Sequence, residues 1–186
     1  MTVAFVALTD LQQKFALESV ELPVPLPAVD LWQGVLLGIA DVPLLVATAD
    51  IDAIVATPPV VRIPGTKTWV LGMATHQGGL LPVICSDSLF YQRPHTGRKR
   101  EYCMVVKRPG FHFALTLSTL ERNISLPLAQ RDMQHPVVES FAPYCAGGFI
   151  REDQFLPILD INKLLADRAL SDTAANSEFP VEDPLQ

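Results

Sequence analysis

The sequence predicts a mostly β fold made of two similar halves that pack against each other. Three observations lead to this prediction. Proline is abundant, at 16 of 186 residues, and a proline inside a helix costs about 3 kcal/mol. Short apolar runs alternate with turn residues along most of the chain, which is typical of strands joined by tight turns. A pattern of an aromatic residue, a glycine and a proline occurs twice, which indicates duplicated halves.

Composition and charge exclude several classes of protein. Hydrophobic residues make up 49% of the chain and charged residues only 18%, whereas disorder requires low hydrophobicity and high net charge. The formal net charge is −6, which argues against nucleic-acid binding because that needs clustered Lys and Arg. We therefore expect no nucleic-acid partner, and 186 residues are enough for one substantial core.

Cysteine content and the N-terminal sequence indicate a cytoplasmic protein. The three cysteines, Cys85, Cys103 and Cys145, form no CxxC pair, and an odd number fits a reducing compartment. The first residues lack the basic segment and long apolar run of a signal peptide. The longest uncharged stretch, Thr68–Ser86, is interrupted by Gly, Pro, His and Gln, so we expect no direct insertion into a membrane.

Residues 1–30 are predicted to form an N-terminal extension separate from the main domain. Thr9 and Gln12 resemble a capping box, which predicts a short amphipathic helix near residues 10–20. Prolines at alternate positions then favour an extended linker: Pro23, Pro25 and Pro27. The helix would either pack on its own domain or dock on a partner.

The main domain is predicted to span residues 31–170. Its strands are short apolar runs, most of them separated by turn residues: Leu31–Ile39, Pro43–Asp50, Ile51–Ala56, Thr68–Ala74, Gly79–Cys85, Glu101–Lys107, Phe111–Ser118, Gly147–Arg151 and Gln154–Leu159. Short helices are predicted at Ser86–Tyr91 and at Asp160–Ala169, where Asp160 is a candidate N-cap. Small and acidic residues predict a disordered tail over residues 171–186.

The repeat keeps three residue types in register at a separation of 75 residues. The matched pairs are Trp69 with Tyr144, Gly72 with Gly147, and Pro82 with Pro157. In each copy the proline lies in an apolar run that leads into one of the short helices, and a proline there is typical of a strand edge or bulge. Because a small β half buries little surface alone, we predict a shared apolar interface between the two halves.

No group of residues makes a persuasive active site. The candidate nucleophile is Cys85 with His76 or His112, but no nucleophile elbow surrounds Cys85 and its apolar run favours a buried structural cysteine. The histidines are isolated from one another and from cysteine, and no phosphate loop is present, so we expect no metal and no cofactor. A binding or scaffold role is favoured. The alternative is a β-barrel enzyme or ligand-binding protein that uses Cys85 and a nearby His.

One stretch of the sequence is basic against the acidic background. It supplies six of the 14 Lys and Arg residues: Arg93, Arg98, Lys99, Arg100, Lys107 and Arg108. We predict either a solvated loop with its flanking strand ends or a docking surface for an acidic partner.

Two segments together resemble the CheW-like family. The first runs from Arg62 through Ile84 and contains RIPGTKTWVLGM and GGLLPVI, which is similar to the family's IPG stretch, aromatic residue and PVI run. The second, Leu156–Leu165, reads LPILDINKLL and is similar to the family's closing strand and helix. The resemblance covers residues 31–168. It implies two small SH3-like β-barrel subdomains packed together, with short helices at the N-terminus and C-terminus, and it places Glu101–Lys107 and Phe111–Ser118 among the second-barrel strands.

The resemblance implies a non-enzymatic adaptor without a cofactor. Such adaptors couple methyl-accepting chemoreceptors in membrane-bound arrays to the regulatory domain of a CheA-type histidine kinase. The length and divergence of this chain most resemble family members that serve type IV pilus systems and twitching motility. The implied receptor-binding candidates are Arg62, Thr75, His76, Gln77 and Gly78. The implied kinase-binding candidates are Ile51, Asp52 and Ile54.

The chain departs from the family pattern at several polar positions. Gln77 stands where the family usually has Arg, and Thr75 stands where it usually has Asn. Because Gln lacks the charge and the five donors of Arg, the adaptor either docks a different receptor or has lost receptor contact and keeps its other partners. In addition, Cys85-Ser86 replaces the usual Asp-Leu, and Ser118 falls where the second barrel often has Asp.

Overall fold

The computed structural model describes residues 3–17, 30–92 and 100–171, over which ten strands and four helices form. The strands are β1 (Leu31–Ile39), β2 (Val42–Ala47), β3 (Ala53–Ala56), β4 (Val70–His76), β5 (Gly79–Ile84), β6 (Tyr102–Arg108), β7 (Phe111–Leu117), β8 (Thr119–Pro127), β9 (Cys145–Arg151) and β10 (Gln154–Leu159). The helices are α1 (Val3–Leu17), α2 (Ser86–Tyr91), α3 (Ile161–Ala166) and α4 (Arg168–Ser171).

The strands pair into two five-stranded sheets that share one pairing pattern, although the chain visits the equivalent strands in a different order. The first has the order β8-β1-β2-β10-β9, and we call it the terminal barrel. The second has the order β3-β6-β7-β5-β4, and we call it the middle barrel. In each sheet one pair is parallel, β2 with β10 and β7 with β5, and the other pairs are antiparallel. The two halves of the protein are therefore related by an internal pseudo-symmetry.

Each sheet curls around a small core of its own. In the terminal barrel, Ile124 on β8 and Phe149 on β9 belong to one buried cluster, although these are the two outermost strands. In the middle barrel, Val55 on β3 packs against the cluster that contains Ala74 on β4. Strands at opposite ends of a sheet share a core only when the sheet closes into a barrel. The predicted mostly β fold with two small SH3-like barrels is confirmed.

The two barrels pack against each other over the largest buried cluster of the described chain. Side chains alternate along β1: Leu36 enters the terminal barrel's own core, whereas Val35 and Leu37 enter the cluster shared with the middle barrel. Met104 and Leu115 reach this shared cluster from the middle barrel. Burial on both faces explains why these strands read as continuous apolar runs. The predicted shared interface is confirmed, and each fully buried side chain of this kind contributes about 1.5–3 kcal/mol.

The 75-residue repeat is a repeat of structure as well as of sequence. The backbone N–H of Cys85 donates to Trp69 O, and that of Asp160 donates to Tyr144 O, both at 2.8 Å. These four residues are related by the same offset of 75 positions, as are the first residues of α2 and α3. In each copy the aromatic residue therefore closes the end of a hairpin at the point where a short helix begins.

The two repeated glycines lie where another chain segment crosses at close range. A Cβ on Gly72 would lie 2.3 Å from Val61 O, and a Cβ on Gly147 would lie 2.5 Å from Asp132 O. Both glycines have positive φ, 147° and 69°. The crossing residue forms a β-bridge to the position after each glycine. Both copies therefore require glycine for the same steric reason.

Helix α3 begins where the sequence predicts, with Asp160 as its N-cap. The Asp160 carboxylate accepts hydrogen bonds from the backbone N–H of Asn162 at 2.9 Å and of Lys163 at 3.3 Å. These bonds satisfy two of the donors that a helix start leaves unpaired.

The predicted helix Asp160–Ala169 is interrupted in the structure. Helix α3 ends at Ala166, and α4 starts after a break at Asp167. The Tyr144 hydroxyl donates to the Asp167 carboxylate at this break. Burial is the larger cause and this hydrogen bond the smaller one; together they raise the pKa of the Tyr144 hydroxyl to about 12.

The N-terminal helix differs from its prediction. It spans Val3–Leu17 rather than residues 10–20, so Thr9 lies inside the helix and not at its N-cap. The Thr9 hydroxyl donates to Phe5 O at 2.8 Å, which is the bond that a helix interior offers to threonine. The capping-box prediction is wrong. Phe5 and Phe15 are 63% and 72% exposed, so the alternative in which the helix packs on its own domain is not observed.

Several strand predictions also differ from the structure. The strand predicted over Pro43–Asp50 is shorter in the structure, because β2 ends at Ala47 and a 3-10 turn follows it. Strand β3 begins at Ala53 and not at Ile51. The sequence does not predict β8, because charged and amide side chains interrupt its apolar pattern. That strand forms by pairing with β1, where Leu31 lies opposite Pro127.

The two barrels are not consecutive in the chain. The hairpin of β6 and β7 belongs to the middle barrel together with β4 and β5. The physical reason is the parallel pairing of β5 with β7, which joins both hairpins in one sheet. The predicted proline linker, the loop with Arg93, Arg98 and Lys99, and residues 172–186 of the predicted tail lie outside the described residues.

Candidate functional site

The turn that the resemblance assigns to receptor binding joins β4 to β5 at one edge of the middle barrel. His76 pairs with Gly79 across two turn residues, Gln77 and Gly78. These two residues have positive φ, 48° and 78°, as a type I′ hairpin turn requires. Thr75 next to the turn is exposed. The structure therefore brings four of the five receptor candidates together at one hairpin tip.

The fifth candidate, Arg62, lies on the same edge but away from the tip. Its neighbour Val61 bridges to Met73 of β4, which places Arg62 about 10 Å along the edge from Thr75 at roughly 3.3 Å per residue. Arg62 is exposed. Its guanidinium is therefore offset from Gln77, the position where the family pattern has its arginine.

The outer face of this hairpin carries a largely apolar strip that sequence reasoning missed. Thr75 pairs with Leu80, and Met73 bridges to Val61, so the four side chains share one face of the sheet. Leu80 is 68% exposed and Val61 is 75% exposed. We call Val61, Met73, Thr75 and Leu80 the outer strip. One signal could have revealed it: of the adjacent Leu80 and Leu81 in a strand, one must face outward.

The kinase-binding candidates lie at the other end of the same sheet, at the start of β3. Asp52 is exposed, and its backbone N–H donates to Val105 O at 2.9 Å. Ile51 and Ile54 are half-buried and pack against the core shared by the two barrels. Only Asp52 among the three is a purely superficial residue, because substitutions at Ile51 or Ile54 would also disturb the core.

A groove of about 400 Å³ lies beside this edge. Its lining includes Tyr102, which pairs with Ala56 of β3, and Leu120 at the start of β8. These two side chains are 41% and 39% exposed. Sequence reasoning missed the groove, because it exists only where the chain crosses from the middle barrel into the terminal barrel.

Arg100, which also lines this groove, ties the two barrels together. Its guanidinium donates to the Asp87 carboxylate at 2.7 and 3.1 Å and to the Asp41 carboxylate at 3.0 Å. Asp87 belongs to α2 beside the middle barrel, whereas Asp41 lies in the turn between β1 and β2 of the terminal barrel. Arg100 is 7% exposed. The hydrogen bonds to Asp87 and Asp41 raise the pKa of Arg100 above its ordinary value.

Two of the described cations of the basic stretch, Arg100 and Arg108, therefore serve the fold and not a docking surface. Arg100 is buried in an ion cluster, and Arg108 pairs with Asp50 and donates to Ala49 O at 3.0 Å. Both cations hold parts of the fold together. The prediction of a solvated loop with its flanking strand ends is wrong for Arg100, because two carboxylates and the barrel interface enclose its side chain.

Two departures from the family pattern, Ser86 and Ser118, form hydrogen bonds within the fold. Ser86 is buried, whereas Ser118 is half-buried and lines the groove described above. The Ser118 hydroxyl accepts a hydrogen bond from the backbone N–H of Asp41 at 3.1 Å, which fixes the crossing between the barrels. The backbone N–H of Ser86 donates to Thr116 Oγ1 at 3.0 Å. Both substitutions keep the polar groups of the fold paired.

The structure does not bring Cys85 together with either candidate histidine. Cys85 and His76 lie at opposite ends of the β4–β5 hairpin, about 20 Å apart at roughly 3.3 Å per residue. The parallel register of β5 with β7 places Thr116 beside Cys85, so His112 is about 13 Å away along the strand. A general base must lie within about 3 Å of its nucleophile. The enzyme alternative that uses Cys85 and one of these histidines has no geometric support.

Other chemical features of the described residues are limited. They contain no group of three or more His, Cys, Asp or Glu side chains placed to hold a metal ion. None of the helices formed within residues 3–17, 30–92 and 100–171 is long and apolar enough to cross a membrane. Burial raises the pKa of the Cys145 thiol to about 11, which keeps that thiol protonated and unreactive at neutral pH.

Comparison with known proteins defines the class of this protein. Residues 33–169 match the CheW-like domain family, and the chain belongs to that family. It is similar to protein PilI of Pseudomonas aeruginosa, with 25% identity over 153 residues that cover 82% of this chain and 86% of PilI. It is also similar in fold to the crystal structure of the scaffolding protein TtCheW from Thermoanaerobacter tengcongensis. That match has a TM-score of 0.63 and 17% identity, and it covers 82% of this chain and 96% of the other.

Proposed function

We propose that this chain is a non-enzymatic adaptor that couples a methyl-accepting chemoreceptor to the regulatory domain of a CheA-type histidine kinase. Membership of the CheW-like family supports the proposal. The observation that carries it is the sheet order of the middle barrel, in which β4 and β3 form the two ends. An adaptor must hold two partners at once, and the receptor and kinase candidates lie on two different strands of this barrel.

In this proposal the receptor binds the edge formed by β4 and β5. The exposed Leu80 and Val61 of the outer strip suit the apolar face of a partner helix. Gln77 supplies amide donors and acceptors in place of a fixed charge. Contact at the tip of this edge then depends on apolar burial and neutral hydrogen bonds, which salt screens only weakly. The outer strip thus favours the alternative of a different receptor over the loss of receptor contact.

The kinase regulatory domain binds the opposite edge in this proposal. Strand β3 ends its sheet, so within the described residues one of its sides has no neighbouring strand to pair with its backbone groups. Asp52 adds a negative charge at that edge, and the groove lined by Tyr102 and Leu120 adds apolar surface. Ile51 and Ile54 are half-buried and pack this part of the chain against the core shared by the two barrels.

The likeness to PilI over most of both chains supports a place in a chemosensory system of type IV pili. We propose that the adaptor helps to control twitching motility from the cytoplasm, next to membrane-bound receptor arrays. Deletion of its gene would then abolish directed twitching while leaving pili assembled.

The decisive experiment measures the binding of each partner to matched surface variants. The partners are the signalling tip of a chemoreceptor and the kinase regulatory domain, both from the same genome. Leu80→Asp should weaken receptor binding at least about tenfold, the loss typical of a central interface residue, and should spare kinase binding. Asp52→Lys should do the reverse.

The control is Ile150→Asp on β9. Ile150 is 58% exposed and lies on the equivalent hairpin of the terminal barrel, so this variant makes the same chemical change on a comparable surface. It should leave both affinities unchanged. Equal losses for Leu80→Asp and Ile150→Asp would refute the assignment of the receptor edge. Absence of binding between the wild-type chain and either partner would refute the adaptor proposal.

A further inference from the structure

Helix α1 carries a stripe of exposed apolar side chains, which we call the α1 stripe. It consists of four residues that fall within about 120° of the helix surface at 3.6 residues per turn: Phe5, Leu8, Leu11 and Phe15. All four are more than half exposed. At about 200 Å² for a phenylalanine side chain and somewhat less for a leucine, their exposed parts amount to roughly 450 Å². Contiguous apolar patches of this size are often interaction sites.

A lipid surface does not suit the α1 stripe. Helices that lie on membranes are rich in Lys and Arg, whereas α1 has one basic residue, Lys14, which pairs with Asp10 at 3.6 Å. The net charge of −6 also opposes binding to an anionic membrane. A protein surface is therefore the better match.

The outer strip of the middle barrel has the dimensions and the chemistry to receive this helix. Val61 and Leu80 are its most exposed apolar side chains, and Met73 lies between them. Two strand spacings across the sheet and two residues along it separate Val61 from Leu80, a distance of about 12 Å. Leu8 and Phe15 lie about 10 Å apart along the axis of α1. One face of the helix therefore covers the strip from end to end.

The equivalent surface of the terminal barrel is less suitable. In the same register, Asp132 replaces Val61 and Gly148 replaces Met73. A carboxylate thus interrupts the apolar surface, and the ring of Phe155 fills the place of the missing side chain over Gly148. Of these two pseudo-symmetric surfaces, the outer strip is the one that is largely apolar along its length.

The length of chain between α1 and β1 favours a second copy as the partner. Residues 18–29 are twelve in number, and their prolines at alternate positions favour an extended form. At about 3.1 Å per residue they span about 37 Å, more than twice the radius of gyration of roughly 14 Å that is expected for a domain of about 140 residues. Both the α1 stripe and the outer strip are exposed within one chain, so the helix does not cover the strip of its own copy.

The area available for burial favours a reciprocal dimer. Covering the α1 stripe also covers a similar area of the facing surface, so one contact buries roughly 900 Å², just below the 1,000 Å² or so of a specific interface. Two such contacts related by a two-fold axis bury about 1,800 Å², which is the usual size of a stable interface.

We infer that two copies of this chain form a dimer in which α1 of each copy packs on the outer strip of the other. The dimer does not depend on the adaptor proposal, but one consequence of it does. The outer strip is also the proposed receptor surface, so α1 of the second copy and the receptor helix compete for it. The dimer then holds the receptor edge covered until a receptor displaces the helix.

Sedimentation equilibrium of the full chain without any partner tests the dimer. Leu8→Asp places a charge in the α1 stripe. Its matched control, Val6→Asp, places the same charge about 160° around the helix at nearly equal exposure, 61% against 65%. Leu80→Asp alters the outer strip, and Ile150→Asp on the terminal barrel is its control. Because each contact occurs twice, Leu8→Asp and Leu80→Asp should each weaken the dimer at least about a hundredfold, tenfold per contact. Both controls should leave it unchanged.

Mixing the two defective variants tests which surfaces meet. A Leu8→Asp chain keeps its outer strip, and a Leu80→Asp chain keeps its helix, so the mixture regains one of the two contacts. It should associate more tightly than either variant alone. A dimer held by two helices or by two strips would show no such gain.

Three results would overturn the dimer. The first is a wild-type chain that stays monomeric across the micromolar range. The second is equal weakening by Leu8→Asp and Val6→Asp, and the third is a mixture that associates no better than its components.

The competition is measured separately, by titration of the chain with the receptor tip. Where α1 occupies nine in ten strips, Leu8→Asp should tighten apparent receptor binding about tenfold. An unchanged affinity would overturn the competition. Absence of receptor binding in both chains would count against the adaptor proposal and not against the dimer.

Discussion

Replacing Gly147 with alanine tests why both copies of the repeat carry glycine. Gly147 and Gly65 have nearly the same φ, 69° and 75°, and alanine in this left-handed conformation costs about 1–2 kcal/mol at either site. Only Gly147 is crowded: its Cβ would lie 2.5 Å from Asp132 O, whereas a Cβ on Gly65 would meet nothing within 4 Å. Gly65→Ala is therefore a matched control for the backbone conformation alone.

The steric part of the cost follows from the β-bridge at this site. Asp132 and Gly148 exchange two backbone hydrogen bonds, both of 2.8 Å, and the added methyl group must push Asp132 away. Each lost hydrogen bond costs about 1 kcal/mol. Added to the conformational cost, Gly147→Ala should lower the free energy of unfolding by about 3–4 kcal/mol, against about 1–2 kcal/mol for Gly65→Ala.

Urea unfolding followed by far-UV circular dichroism measures both differences. The slope of the free energy against urea should be the same in both variants and in the wild type, because the surface exposed on unfolding is unchanged. Equal destabilisation by Gly147→Ala and Gly65→Ala would refute the reasoning, since it would show that backbone conformation alone explains the glycine.

Three further predictions concern side chains that hold the fold. Arg100→Met removes the cation between Asp87 and Asp41 and should lower the free energy of unfolding by about 2 kcal/mol, measured with urea. The loss is smaller than for a fully buried pair because both carboxylates reach water. A loss below about 0.5 kcal/mol would contradict the role of Arg100 as a tie between the barrels. The folded chain holds the Tyr144 proton more tightly than the unfolded chain, with a pKa raised from 10.0 to about 12. The free energy of unfolding should therefore fall between these two pH values, and Tyr144→Phe should reduce that fall in a pH series of melts; an unchanged slope would count against it. Asp160→Ala removes the N-cap of α3 and should cost about 1 kcal/mol, whereas Asp160→Asn should retain most of the stability.

The candidate surfaces could be predicted only in part from the sequence. The turn at Gln77–Gly78 is predictable, because a polar residue followed by glycine between two apolar runs is a local hairpin signal. Exposure of Leu80 and Val61 is not predictable from composition, since each adjoins another apolar residue and only the strand register decides which side faces solvent. The resemblance names Ile51 and Ile54 as kinase-binding candidates, and only the structure shows that both side chains are half-buried against the shared core.

The sequence by itself determined the β-rich class, the duplicated halves and the family. Each of these depends on local patterns: the number of prolines, the alternation of apolar runs with turns, and residues such as Gly72 and Gly147 at a constant offset. The roles of these two glycines then follow from one steric rule that applies in both copies.

Only the tertiary structure decided which strands share a barrel and what the charged residues do. Strand β8 forms because Leu31 pairs with Pro127, 96 residues away in the chain. Arg100 reads as part of a basic loop until folding places Asp41 beside it, 59 residues away in the chain. Local sequence specifies elements and turns, whereas burial, register and ion pairing depend on contacts between segments that are distant in the chain.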